Sequence, residues 1–166
     1  MITKQLLDPK SIVVVGGSDD IRKPGGKVLK NLIDGDFKGD LYVANPKLEV
    51  VQGIKSYCNI DDLPEVDLAV MAIAAKFCPA TIDVLTKKKN TKAFIILSAG
   101  FSEENEEGAK LEKEIVEKIN AVGGSLIGPN CIGVLNRNYS GVFTTPIPTL
   151  DPQGVDFVSG SGATAV

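Results

Sequence analysis

The chain of 166 residues contains no histidine. That removes the commonest general base and the commonest metal ligand, and with them any Ser-His-Asp or Cys-His arrangement. It makes the chain easier to read as a binding module than as one that breaks bonds. The three cysteines, Cys58, Cys78 and Cys131, are odd in number and widely spaced. They form neither a CxxC pair nor a metal-ligand spacing, so they read as small buried apolar residues in a reducing compartment, with no metal. No apolar stretch approaches the roughly 18–20 residues that would cross a bilayer. Asp8 and Pro9 interrupt the N-terminal segment before any signal core can form, so the expectation is a cytoplasmic chain without a membrane partner. A net charge of −3 gives no bulk attraction for nucleic acid, although one local cationic site remains compatible with it.

Forty-three per cent hydrophobic and 23% charged residues suit one domain with a real core. Apolar runs of strand length alternate with helical patterns. Ser11-Ile12-Val13-Val14-Val15 is continuous and β-branched, as in a strand buried on both faces. Leu41 to Ala44, Val66 to Ile73, Ala93 to Leu97 and Ser125 to Ile127 supply four more strands. Between them, Val28, Leu29, Leu32 and Ile33 form one helical face. Pro79 to Leu85 reads as a helix with proline in its first turn, and Leu111, Ile115, Ile119 and Val122 form another stripe. The acidic run from Ser102 to Glu107 suits a helix start, and Lys87-Lys88-Lys89 suits a helix end. Strand and helix in regular alternation give the fold class: α/β, a Rossmann-like parallel sheet with helices on both faces. From Arg137 to Gly154 the texture changes to Pro, Thr, Asn and Gly, which suggests an extended connection. The expected domains are therefore 1–150 and, from 151 to 166, the start of a truncated second one.

Ligands of such sheets lie outside the carboxyl ends of the strands. After the first strand come Gly16, Gly17, Ser18, Asp19, Asp20, Ile21, Arg22 and Lys23, then Gly25-Gly26 at the start of a helix. Glycines admit close backbone approach, and N–H groups at a helix start can hold phosphate. A tight βα turn would need the same glycines for its own geometry. The G-x-G-x-x-G fingerprint is missing, and the second strand ends in Asn45-Pro46-Lys47 where an NAD site wants an acid. Lys47 can pair with a phosphate, which points to a nucleotide with an extra ribose phosphate; NADP and coenzyme A both have one. A solvated loop lysine remains the plain alternative. Small or polar residues follow every other strand: Ala74-Ala75, then Ser98-Ala99-Gly100, then Asn130, whose amide could equally satisfy its own turn.

Taken together, Val14-Val15-Gly16-Gly17-Ser18-Asp19-Asp20 with Gly25-Gly26, Val43-Ala44-Asn45-Pro46-Lys47, Leu97-Ser98-Ala99-Gly100-Phe101 and Gly128-Pro129-Asn130-Cys131-Ile132-Gly133 resemble one family. It is the N-terminal coenzyme A-binding domain of ADP-forming acyl-CoA synthetases, relatives of the succinyl-CoA synthetase α subunit. The resemblance covers almost the whole chain. It implies that the segment Ser18 to Ile21, with Lys23 nearby, approaches the CoA phosphates and that Lys47 pairs with one of them. It also implies that Ala74-Ala75 and Ser98-Ala99-Gly100 line the adenine and pantetheine path, with Asn130 near the thiol. The Asp19 and Asp20 side chains are expected to turn to solvent or towards Arg22 and Lys23.

Phe157-Val158-Ser159-Gly160-Ser161-Gly162 is similar to the opening of the family's second domain, though Gly160 stands where the family has a larger side chain. By resemblance, the parent would interconvert acyl-CoA, ADP and phosphate with acid, CoA and ATP. Its phosphohistidine and ATP-grasp module would lie outside this sequence. The expectation is thus a CoA-binding fragment, inactive alone, whose partners are CoA or acyl-CoA and the missing synthetase and ATP-grasp parts. A stand-alone CoA or nucleotide-binding regulatory module, the regulatory domain of a protein acetyltransferase, and an NADP-binding oxidoreductase domain are the other readings.

Overall fold

The computed structural model describes residues 2–147. A short helix α1 (Lys4–Leu7) leads into β1 (Ser11–Val15), α2 (Pro24–Asp34) and β2 (Asp40–Ala44). A hairpin of β3 (Val50–Val51) and β4 (Ile54–Tyr57) follows, then β5 (Leu68–Met71), α3 (Cys78–Lys88), β6 (Ala93–Ile96), α4 (Glu106–Ala121) and β7 (Ser125–Ile127). A second hairpin, β8 (Gly133–Leu135) and β9 (Ser140–Val142), ends the described part. Seven strands form one sheet in the order β3-β4-β2-β1-β5-β6-β7. Every pairing in it is parallel except β3 with β4. Among the described residues no helix is long and apolar enough to cross a membrane. The expected start of a second domain, 151–166, lies outside the described residues.

The layers follow from the period-2 alternation of strand side chains. Val13, Val15, Ala69, Met71, Phe94 and Ile96 pack on one face with Ile82 and Leu85 of α3 and Ile115 and Ile119 of α4. Their neighbours Ile12, Val14, Leu68, Val70 and Ile95 pack on the other face with Val28, Leu29 and Leu32 of α2. Both faces are covered, so β1, β5 and β6 must be apolar at successive positions, which is why they read as unbroken runs. Each fully buried Val, Leu, Ile, Met or Phe among them contributes about 1.5–3 kcal/mol of transfer free energy.

Two hairpins depart from the expected elements. Gln52 and Gly53 both take positive φ, 49° and 79°, which is the two-residue turn that joins β3 to β4. The strands flanking it are too short to show a period. The region after residue 131 is also a hairpin and not only an extended connection. Its strands are three residues long, and it is held from outside by side chains. Asn31, buried in the middle of α2, donates from Nδ2 to the carbonyls of Val142 (2.7 Å) and Thr144 (2.9 Å). The buried Tyr139 hydroxyl donates to the carbonyl of Leu6 (2.7 Å), tying the hairpin to α1. The cysteines divide as well. Burial removes Cys78 from water and pushes its thiol up to about 12, whereas Cys58 is exposed, against the expectation of three buried thiols.

Gly25 sets how closely α2 approaches β1. A Cβ there would run into the carbonyl oxygen of Gly16, which is backbone and cannot move aside. Gly53, by contrast, has nothing within 4 Å of an added Cβ and carries only the conformational penalty of positive φ. Gly25→Ala is therefore expected to cost about 2 kcal/mol or more, and Gly53→Ala about 1 kcal/mol, in urea unfolding followed by circular dichroism. Equal costs would mean that the α2–β1 approach is not tight.

Candidate functional site

At the carboxyl edge of the sheet, β1 lies between β2 and β5, so the chain leaves β1 and β5 in opposite directions around it. This is the topological switch point, where a parallel sheet of this kind forms a crevice. Gly16 sits at the junction with φ 85°, its N–H donating to the Ala44 carbonyl at 2.9 Å. A Cβ on Gly16 would meet the Ala72 carbonyl oxygen at 2.6 Å. A Cβ on Gly17 would meet Val43 Cγ1 at 2.7 Å. Both glycines are thus required by the turn itself, whatever else they serve.

The carbonyls of the following loop are held by side chains of other elements. Asn45 Nδ2, at the end of β2, donates to the Gly17 carbonyl at 2.9 Å, and Asn45 Oδ1 accepts from the Lys47 N–H at 2.9 Å. Gln52 Nε2, in the β3–β4 turn, donates to the carbonyls of Ser18 (2.7 Å) and Gly26 (2.8 Å). The carboxylate of Asp19 is exposed, as expected, and accepts from the Gln52 N–H at 2.7 Å, so it also ties the loop to the hairpin; it pairs with neither Arg22 nor Lys23 among the described residues. Asp20 does pair with Arg22, through Nε at 2.9 Å and the second guanidinium nitrogen at 3.0 Å, and it also accepts the Arg22 N–H. These bonds pull its carboxyl down to about 2. Ser18 Oγ accepts from the Asp20 N–H at 3.1 Å.

The N–H groups of Gly17, Ser18, Asp19, Gly25 and Gly26 find no acceptor among the described residues. Gly17, Gly25 and Gly26 are buried, where an unpaired N–H is costly. The start of α2 has no side-chain cap and no acid in its first turn. The start of α4 is the opposite: Asn105 caps it by accepting from the Gly108 N–H, and Glu106 and Glu107 occupy its first turn. The positive end of the α4 dipole is thus complemented from within the chain, whereas that of α2 is open to an outside anion. Lys23, Lys27, Lys47 and Lys76 belong to the segments that flank this edge, and none is in an ion pair among the described residues. Lys47 is exposed.

The remaining positions named from the sequence also reach this edge, with differences. Ile21 is 51% exposed in the loop and Ala74 is exposed after β5, but Ala75 is turned into the core beside Phe101. Ala75 thus leaves only 7% of its surface exposed at this edge. Ser98 and Gly100 are half-buried and Ala99 is exposed beyond β6. Asn130, at φ 53°, donates its N–H to the Ser98 carbonyl at 3.0 Å and leaves its side chain exposed, which joins the β6 and β7 ends. Two residues were not singled out from the sequence. One is Gln52. The other is Glu103, whose carboxylate accepts the N–H groups of Gly100 (2.7 Å) and Phe101 (3.3 Å) and fixes the turn after β6. A glutamine beside a glycine in a turn looks like any solvated residue, and only the fold shows what it reaches. Two shallow depressions, of about 340 and 270 Å³, lie at the opposite, amino edge of the sheet. They share no residue with this site.

Residues 10–137 match the family model described as the CoA binding domain. The α subunit of the ADP-forming acetate–CoA ligase II of Pyrococcus furiosus is 39% identical over 157 residues, which is 94% of this chain and 34% of that protein. The ADP-forming 4-hydroxybutyrate–CoA ligase of Nitrosopumilus maritimus is 34% identical over 98% of this chain and 24% of its own length. A crystal structure of a Pyrococcus horikoshii protein superimposes with a TM-score of 0.84 at 39% identity, covering 96% of this chain and 36% of that one. The acetyl-coenzyme A synthetase 1 of Ca. Korarchaeum cryptofilum does so at 0.77 and 32%, covering 84% and 30%. The chain spans about a third or less of these relatives. With the family model matching most of its length, and with ADP-forming acid–CoA ligases among its relatives, the chain belongs to the CoA-binding domain family.

Proposed function

We propose that this domain binds coenzyme A across the carboxyl edge of its sheet, as the CoA-binding part of an ADP-forming acyl-CoA ligase. The observation that carries the reading is the set of N–H groups at Gly17, Ser18, Asp19, Gly25 and Gly26 that find no acceptor among the described residues. A pyrophosphate supplies the acceptors and negative charge that such a set and an open helix start favour. Lys47 then pairs with the ribose phosphate, and Lys23 adds to the field around the pyrophosphate. Ala74 and Ser98-Ala99-Gly100 are small enough to let adenine and the pantetheine arm pass over the strand ends. Asn130 stands at the far side, beyond β6, where the thiol is expected.

CoA here is a substrate of the ligase rather than a resident cofactor. In the whole ligase, acyl-CoA, ADP and phosphate interconvert with the free acid, CoA and ATP. Phosphoryl transfer and the ADP site fall to other parts of that enzyme, since this chain has no histidine to carry the phosphoryl group. The domain boundary near residue 150 belongs to the same proposal. What this chain contributes is positioning: a thiol held at one place on a rigid rim reacts as though it were highly concentrated.

Two outcomes test the reading. In calorimetry, CoA is expected to bind about five- to tenfold tighter than dephospho-CoA. Lys47→Ala should remove most of that gap while leaving dephospho-CoA affinity nearly unchanged, and equal affinity of the wild type for both ligands would refute the Lys47 assignment. The second outcome concerns charge. Because Asp20 is depressed from 3.8 to about 2 by Arg22, its contribution to stability is fully present above pH about 4 and is lost as pH falls through about 2. Arg22→Ala should return the Asp20 carboxyl midpoint towards 3.8 in an NMR titration. The exposed carboxylate, no longer neutralised, should also weaken CoA binding, most clearly at low salt.

A further inference from the structure

Gln52 lies outside the strand-end loops in which a nucleotide site is sought, yet it makes three hydrogen bonds to the loop that follows β1 and the helix start beyond it. Its Nε2 donates to the carbonyls of Ser18 and Gly26, and its own N–H donates to Asp19 Oδ1. Because Nε2 faces two carbonyls, the amide orientation is fixed: the reversed amide would set three oxygens together. Gln52 Oε1 is left buried without a partner among the described residues. The backbone also accepts a left-handed φ of 49° at this non-glycine position. Against the cost of an unsatisfied oxygen and a left-handed backbone stand the two bonds made by its nitrogen.

Across a planar trans peptide the C=O of one residue and the N–H of the next point in opposite directions. A side chain that holds the Ser18 carbonyl towards the hairpin therefore turns the Asp19 N–H away from it. Asn45 does the same one residue earlier: by holding the Gly17 carbonyl it turns the Ser18 N–H outward. The Gly26 carbonyl, held by the same Nε2, fixes the first turn of α2 against the Ser18 peptide.

We propose that Gln52 is a positioning residue for the pyrophosphate of the bound nucleotide, acting from the β3–β4 hairpin through the Ser18 and Gly26 carbonyls to aim the loop N–H groups outward. The inference rests on the CoA reading above and deepens it. It gives the antiparallel hairpin, an addition to an otherwise parallel sheet, a part in ligand binding that does not require it to touch the ligand. It also separates two kinds of recognition: Lys47 reads the ribose phosphate, and Gln52 prepares the cradle shared by CoA and dephospho-CoA.

The test uses the 166-residue chain, with Gln52→Met to keep the bulk and lose the donor, and Gln52→Glu to place a carboxylate against the two carbonyls. Thermal melts and far-ultraviolet circular dichroism confirm that each variant is folded, and calorimetry measures CoA and dephospho-CoA. Gln52→Met is expected to weaken both ligands by the same factor, about tenfold. The CoA to dephospho-CoA ratio should stay as in the wild type, the opposite of the Lys47→Ala pattern. Gln52→Glu should weaken both further at pH 7. Wild-type affinities in a folded Gln52→Met with a lowered melting temperature would reduce Gln52 to a structural residue and overturn the proposal. A loss confined to CoA would overturn it as well. A folded wild type that binds neither ligand would sink the CoA reading itself, and this inference with it.

Discussion

The structure depends on a property of the peptide group: it cannot present its oxygen and its hydrogen to the same side. In the turn after β1 the carbonyls of Gly17 and Ser18 are taken by the amides of Asn45 and Gln52, and the Gly26 carbonyl is taken by Gln52 as well. The N–H groups that follow Gly17 and Ser18 face elsewhere and meet no acceptor among the described residues. A loop that satisfied both halves of its peptides internally would be a simple βα connection. This one satisfies the Gly17 and Ser18 carbonyls but leaves the N–H groups of Gly17, Ser18 and Asp19 without an acceptor among the described residues, and those donors are what an anion needs.

Close packing makes the arrangement possible. Gly16 must pass beside the Ala72 carbonyl, and Gly25 must pass beside the Gly16 carbonyl, so α2 begins directly over the switch point between β1 and β5. Behind them, two apolar layers fix the sheet on both faces and leave the carboxyl edge to loops. The rigidity of β1, β5 and β6 is what lets short turns hold polar groups at defined positions. Asp20, which stands close to where phosphate is proposed, is matched by Arg22 within the same turn, so its charge is contained locally.

Much of this was legible in the residues. Continuous β-branched runs such as Ile12 to Val15 announced strands buried on both faces, and the fold class followed from their alternation with helical stripes. The glycines after β1 and the Asn45-Pro46-Lys47 sequence marked the edge to inspect. What stayed hidden was whatever is made by long-range contact. The β3–β4 and β8–β9 strands are two to four residues long, too short for a period, and the second hairpin is held by Asn31 of α2 and by its own Tyr139 against α1. Gln52 was hidden for the same reason, since its partners are 26 and 34 residues away in sequence. Asp19 is exposed as its charge suggests, but its bond to the Gln52 N–H, 33 residues on, is made by the fold and not visible in the residues. Ala75 is mostly buried, because the turn after β5 tightens into a 3-10 helix that draws it towards the core.

The family places coenzyme A with this domain, and the loop chemistry gives a physical reason why its phosphates would settle at this edge. The direct test is a ¹⁵N-resolved NMR titration of the chain with CoA, which reads each backbone amide separately. Large downfield shifts at Gly17, Ser18, Asp19, Gly25 and Gly26, with much smaller changes at the amino edge of the sheet, are the predicted result. Saturable binding that leaves those five amides unmoved would contradict the claim that their unpaired N–H groups hold the pyrophosphate.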